Sequence, residues 1–128
     1  MAFELRRGHE AGVDVLWLRG ELDHDTVGRF EVAVDGVGPG AVVVVDLGAV
    51  TLCDSSGLSG LVRLAQALAA RGGALRLSAV PAATVKTIGI TGLDRLIPVF
   101  PDVPSAVRAD ARGPVEEDGP GRLPAPSG

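Results

Sequence analysis

The sequence predicts an α/β fold, a mixed sheet of about five strands with four α-helices. Three observations lead there. Short β-branched runs alternate along the chain with stretches of helical period. One of those runs, Ala41 to Leu47, holds four consecutive valines and is apolar up to Asp46, as in a central strand covered on both faces. At the N-terminus two extended segments follow one another without a helix between them, which adds an antiparallel edge to an otherwise parallel sheet.

Each element follows from its residues. Phe3 to Arg7 and Val13 to Gly20 read as the first pair of strands, with Gly8 to Gly12 as the turn. Asp23 to Val37 reads as a helix, because Val27, Phe30 and Val34 share a face that Arg29, Glu31 and Asp35 avoid. Gly36, Gly38, Pro39 and Gly40 end it before the central strand. Ser55 to Arg71 is the strongest helical pattern: Leu58, Leu61, Val62, Ala65, Leu68 and Ala69 recur at three- and four-residue spacing, and Gly72-Gly73 supplies the stop. Ala74 to Val80 is the next strand. Pro81 opens a short helix carrying Val85 and Ile88 that closes near Gly92. Leu96 to Phe100 is a last strand, confined to an edge by Pro98, and Asp102 caps a final short helix.

Residues 1–112 form one domain by this reading. From about Gly113 the chain is polar and rich in Pro and Gly, with too little apolar surface to offset its ordering entropy. Residues 113–128 are therefore expected to be a disordered tail.

Composition narrows the function. The formal net charge is -4, which gives no electrostatic basis for binding nucleic acid or an anionic membrane. A single cysteine, Cys53, excludes an internal disulfide and a multi-cysteine zinc site. No apolar run is long enough to span a bilayer, and charges occupy Met1 to Arg7 where a signal peptide needs an apolar stretch, so a cytoplasmic protein is expected.

Two segments could carry chemistry. Leu52 to Gly60 follows the central strand and opens the strongest helix, where free N–H groups favour an anion and Ser55 and Ser56 stand beside small glycines. Read as structure alone, Asp54 or Ser55 is a helix cap. Gly20 to Thr26 gathers three acids and His24, but His9 is the one other histidine and lies in a turn, so capping by Asp23 or Asp25 is favoured over a metal site. Catalytic sets are incomplete: there is no five-residue nucleophile elbow, no triad partner for either histidine and no phosphate loop. Asp46 ends the central strand without the acidic pair a phosphoacceptor aspartate needs, and reads as a strand-end acid. Cys53 reads as a small buried side chain. No catalytic residue, metal ligand or cofactor is expected.

Gly20-Glu21-Leu22-Asp23 before the first helix and Asp54-Ser55-Ser56-Gly57-Leu58 at the second, with Ile90-Thr91-Gly92-Leu93 before the edge strand, resemble the STAS domain, and specifically the anti-sigma factor antagonists. The similarity runs from about Phe3 to about Asp110. The resemblance implies a STAS-like sheet of about five strands with four helices and a partner switch. The unphosphorylated chain would bind an anti-sigma factor that is itself a GHKL-type serine kinase, releasing a sigma factor. Phosphorylation of Ser55 would end that binding, and a PP2C-type phosphatase would reverse it. It also implies a partner surface of Asp23, His24, Thr26, Asp54, Ser55, Ser56 and Gly57. Two alternatives stay open at the level of sequence: a STAS subunit of a membrane-associated ABC transport complex, and a nucleotide-binding STAS protein.

Overall fold

The computed structural model describes residues 3–109. The tail expected from residue 113 onward lies outside the described residues. Strands β1 (Glu4–Glu10), β2 (Val13–Leu22), β3 (Val42–Cys53), β4 (Ala74–Ser78) and β5 (Val99–Phe100) form one sheet in the order β1-β2-β3-β4-β5. Helices α1 (Val27–Val34), α2 (Ser55–Ala70), α3 (Ala82–Thr91) and α4 (Val103–Arg108) connect or follow them, with a 3-10 turn at Leu93–Arg95. The β1–β2 pair is antiparallel and the remaining pairs are parallel. The expected mixed sheet of five strands with four helices is therefore present, with β3 at its centre.

Alternation along the strands divides the core between the two faces. Leu16, Leu18 and Leu22 of β2, Val43, Val45 and Leu47 of β3, and Leu75 and Leu77 of β4 point to one face. There they meet Phe30 and Val34 of α1, Leu61, Leu64, Ala65 and Leu68 of α2, and Ile88 of α3. Val13, Val15 and Val44 point to the other face and are covered by Val103 and Ala106 of α4. Arg76 belongs to this second face and is buried; its guanidinium donates to the Ala106 carbonyl at 2.7 Å and so ties α4 to β4. A charge-assisted bond of that kind is needed where a cation leaves water.

Several boundaries differ from the sequence expectation, each for a physical reason. The hairpin turn is two residues, Ala11 and Gly12, and β1 continues to Glu10. Both turn residues have positive φ, 50° and 80°, the backbone twist that suits a two-residue hairpin. α1 begins at Val27 and not at Asp23, because side-chain bonds hold residues 23–26 in a turn. β3 does not stop at Leu47: it runs to Cys53 by pairing with the far half of β2, across register shifts between Trp17 and Arg19 and between Gly20 and Glu21. Asp46 therefore lies inside the central strand and is not a strand-end acid. Its carboxylate accepts from the Ser78 hydroxyl at 2.9 Å and from the Gly48 N–H at 3.0 Å. β5 shrinks to two residues, since Pro98 has no N–H to offer and only its carbonyl is used, accepting from Leu77 N–H at 2.9 Å.

Candidate functional site

Leu22 and Cys53 are the last residues of β2 and β3, and they are register partners in parallel strands. The two segments singled out in the sequence thus leave the same edge of the sheet side by side. Crevices outside the carboxyl ends of parallel strands are where α/β sheets commonly bind ligands. A backbone bond from Asp54 N–H to the Leu22 carbonyl, 3.3 Å, ties one segment to the root of the other.

The first segment is a turn built by Asp23 and Thr26. Asp23 Oδ1 accepts from the N–H groups of Asp25 (3.0 Å) and Thr26 (3.2 Å). The Thr26 hydroxyl donates to the Glu21 carbonyl at 2.6 Å and accepts from Asp23 N–H at 2.9 Å. Asp23 thus closes the turn ahead of α1. The helix itself has Thr26 at its N-cap with no side-chain cap bond, so the capping expected of Asp23 or Asp25 is not found. With the Asp23 and Thr26 side chains engaged in the turn, His24 at its tip is left exposed.

The second segment is the start of α2. Asp54 is the N-cap: its backbone is extended and Oδ1 accepts from Gly57 N–H at 3.0 Å. Ser55 is the first helical residue and is exposed; Ser56 is half-buried. Gly57 is buried because the helix start lies against the end of β2, where a Cβ would run into the Leu22 carbonyl oxygen. Cys53, just before the cap, is half-buried, and burial together with the neighbouring Asp54 charge pushes its thiol up to about 11. Burial thus favours the neutral thiol, the less reactive form.

Between the two segments runs an open groove of about 450 Å³ lined by His24, Val27, Gly28, Ser55, Ser56, Ser59 and Arg63. Of the seven residues expected to form the surface, the structure gathers His24, Ser55 and Ser56 in this groove. Asp23, Thr26, Asp54 and Gly57 do not line it; they hold the two segments in place through the bonds and the close contact described above. Ser59 and Arg63 were not expected. They lie one and two helical turns beyond Ser55 on the same stripe of α2, a spacing of four that could have revealed them. Among the described residues no group of three or more His, Cys, Asp or Glu side chains is placed to hold a metal ion. No helix among them is long and apolar enough to cross a membrane.

The five-stranded mixed sheet with four helices is a fold shared with solved anti-sigma factor antagonists. The chain belongs to the STAS domain family: the family model described as "Mlab, STAS domain" matches residues 5–98. It is similar to an anti-sigma factor antagonist from Mycobacterium paratuberculosis, with 31% identity over 88% of this chain and 96% of that one, at a TM-score of 0.75. The Bacillus cell fate determinant SpoIIAA in its phosphorylated form shares the fold at 22% identity, over 83% of this chain and 96% of that one, with a TM-score of 0.63. A sulfate transporter family protein from Wolinella succinogenes shares it at 20% identity, over 77% and 84% of the two chains, with a TM-score of 0.66. No curated protein matches the chain in sequence.

Proposed function

We propose that this chain is a cytoplasmic anti-sigma factor antagonist that works as a partner switch. The unphosphorylated form binds an anti-sigma factor, itself a GHKL-type serine kinase, and frees the sigma factor. That kinase transfers the γ-phosphoryl group of ATP to Ser55 Oγ, releasing ADP, and the phosphorylated chain dissociates. A PP2C-type phosphatase hydrolyses the ester and resets the switch. The catalytic groups belong to the partners. The observation that carries the reading is the exposed position of Ser55 at the first residue of α2, on a groove shared with His24. Identity of 31% to an anti-sigma factor antagonist supports it.

The chemistry of the switch follows from where the phosphate lands. A phosphoserine carries about −1.5 to −2 charges and three strong acceptor oxygens. At a helix start it meets free N–H groups and a favourable dipole worth about 0.3–1 kcal/mol, so the fold tolerates it. At a protein interface the same group must shed water. A cost of about 3–4 kcal/mol lowers affinity by roughly two to three powers of ten.

The test uses purified GHKL-type serine kinases of the source organism. Ser55→Ala binds its kinase as the wild type does and takes up no phosphate, whereas Ser55→Asp folds normally by far-UV circular dichroism and binds poorly by calorimetry. Phosphate mapping to Ser56 or Ser59 moves the site. Equal binding of wild type and Ser55→Asp, with no phosphorylation of wild type, removes the switch. It would then favour the second reading, a STAS subunit held by the ATPase of a membrane-associated ABC transport complex. A sulfate transporter family protein shares the fold.

A further inference from the structure

The groove has a hinge and a brace along the seam between α1 and α2. At the hinge, Gly60 of α2 meets Val27 of α1 so closely that a Cβ on Gly60 would run into Val27 Cγ2. One turn further along each helix stands the brace: Arg63 Nε and Nη2 donate to Glu31 Oε2 at 2.9 and 2.6 Å. The pair is open to solvent, with side-chain exposures of 56% and 39%, so it adds little to overall stability. Two N–H bonds from a planar guanidinium are directional, so beside the core contacts of Phe30 and Val34 they favour one angle between the helices that carry them. α1 begins directly after the His24 turn and α2 directly after Asp54, so a rotation about the Gly60–Val27 contact changes the gap between His24 and Ser55.

We propose that Glu31 and Arg63 are positioning residues for the switch, holding α1 at the angle that presents the His24 turn and Ser55 to the partner as one surface. The proposal rests on the partner-switch reading and deepens it. Neither side chain reacts. Each acts through the helix it holds.

A charge-swap cycle tests this in the full-length chain. Glu31→Arg and Arg63→Glu each place like charges across the seam; the double variant restores an opposite pair in reverse. The conservative Glu31→Gln and Arg63→Gln remove the bond without repulsion and serve if a reversal unfolds the protein. With the purified kinase that binds wild type, each single variant is expected to lose about threefold to fivefold in affinity, and the double variant to regain most of it. Melting temperatures change little across the set. In the free protein, amide resonances of residues 23–26 shift in both single variants and return in the double. Single variants with wild-type affinity and unmoved amides overturn the proposal. So does a double variant no better than Arg63→Glu alone, which would make Arg63 a direct partner contact. If no kinase binds even the wild type, the partner switch fails, while the amide shifts still decide whether the pair sets the angle.

Discussion

Asp54 stands one residue from the proposed phosphoacceptor, and its structural duty can be separated from any role in binding. Its carboxylate satisfies Gly57 N–H at the start of α2. Asp54→Ala removes that bond and is expected to cost about 1 kcal/mol, a drop of roughly 4–8 °C in melting temperature for a domain of this size. Asp54→Asn keeps an acceptor oxygen and is expected to melt near the wild type in the same thermal scan. If Asp54→Asn melts normally yet fails to bind the kinase, the charge itself is read by the partner. Cys53 gives a second check at this scale. With its pKa pushed up to about 11, only about a thousandth of the thiol is ionised at pH 8, so alkylation by iodoacetamide is slow there and rises tenfold per unit until pH 11. The sign of the linked stability follows. The unfolded thiol ionises near pH 9 while the folded one keeps its proton, so Cys53 lowers stability as pH climbs from about 9 to 11. Residues of this kind were legible in the sequence where the duty is local: Asp54 as a cap and Ser55 as the exposed hydroxyl. Arg63 was not, because its partner is 32 positions away and depends on how closely Gly60 lets α1 approach.

The helices differ in how firmly they are held. α2 buries six residues over its sixteen, including Leu61, Leu64 and Leu68. α3 buries Ile88 alone and leaves Val85 and Ile90 in solvent, Ile90 with 77% of its surface exposed. Thr87 and Thr91 also bond back to carbonyls one turn earlier, a pattern that weakens a helix slightly. α3 is therefore expected to open locally at low cost. By hydrogen-exchange mass spectrometry, peptides from residues 82–91 should exchange well before those from residues 58–68; equal protection would mean that α3 is packed more firmly than its contacts show. The sequence read the existence and order of the strands and α-helices among the described residues, since periodicity and glycine stops are local signals, but not the 3-10 turn at Leu93–Arg95. Boundaries that depend on a partner strand or a side-chain bond escaped it. The extension of β3 to Cys53 needs the far half of β2, and residues 23–26 form a turn ahead of α1 through side-chain bonds of Asp23 and Thr26 that helical periodicity does not report. Even the buried stripe of α2 is turned from its sequence expectation: Leu64 is in the core and Ala69 is not.

Across the whole molecule the sheet is unusual in one respect described above: its spatial order is its sequence order. Every strand pairs with the one that precedes it, so no strand waits for a later one to be inserted between it and its neighbour. Contacts between near neighbours close short loops and keep the entropic barrier to folding low. During synthesis the chain emerges N-terminus first, at about 5–20 residues per second. The β1–β2 hairpin can form at once, and β3 then adds along the free side of β2. When β3 docks, Leu22 and Cys53 come together, and the two turns that flank Ser55 become neighbours while β4, β5 and α4 have yet to emerge from the ribosome. The proposed switch surface is thus encoded in the first half of the sequence and can take shape before the second half has left the ribosome.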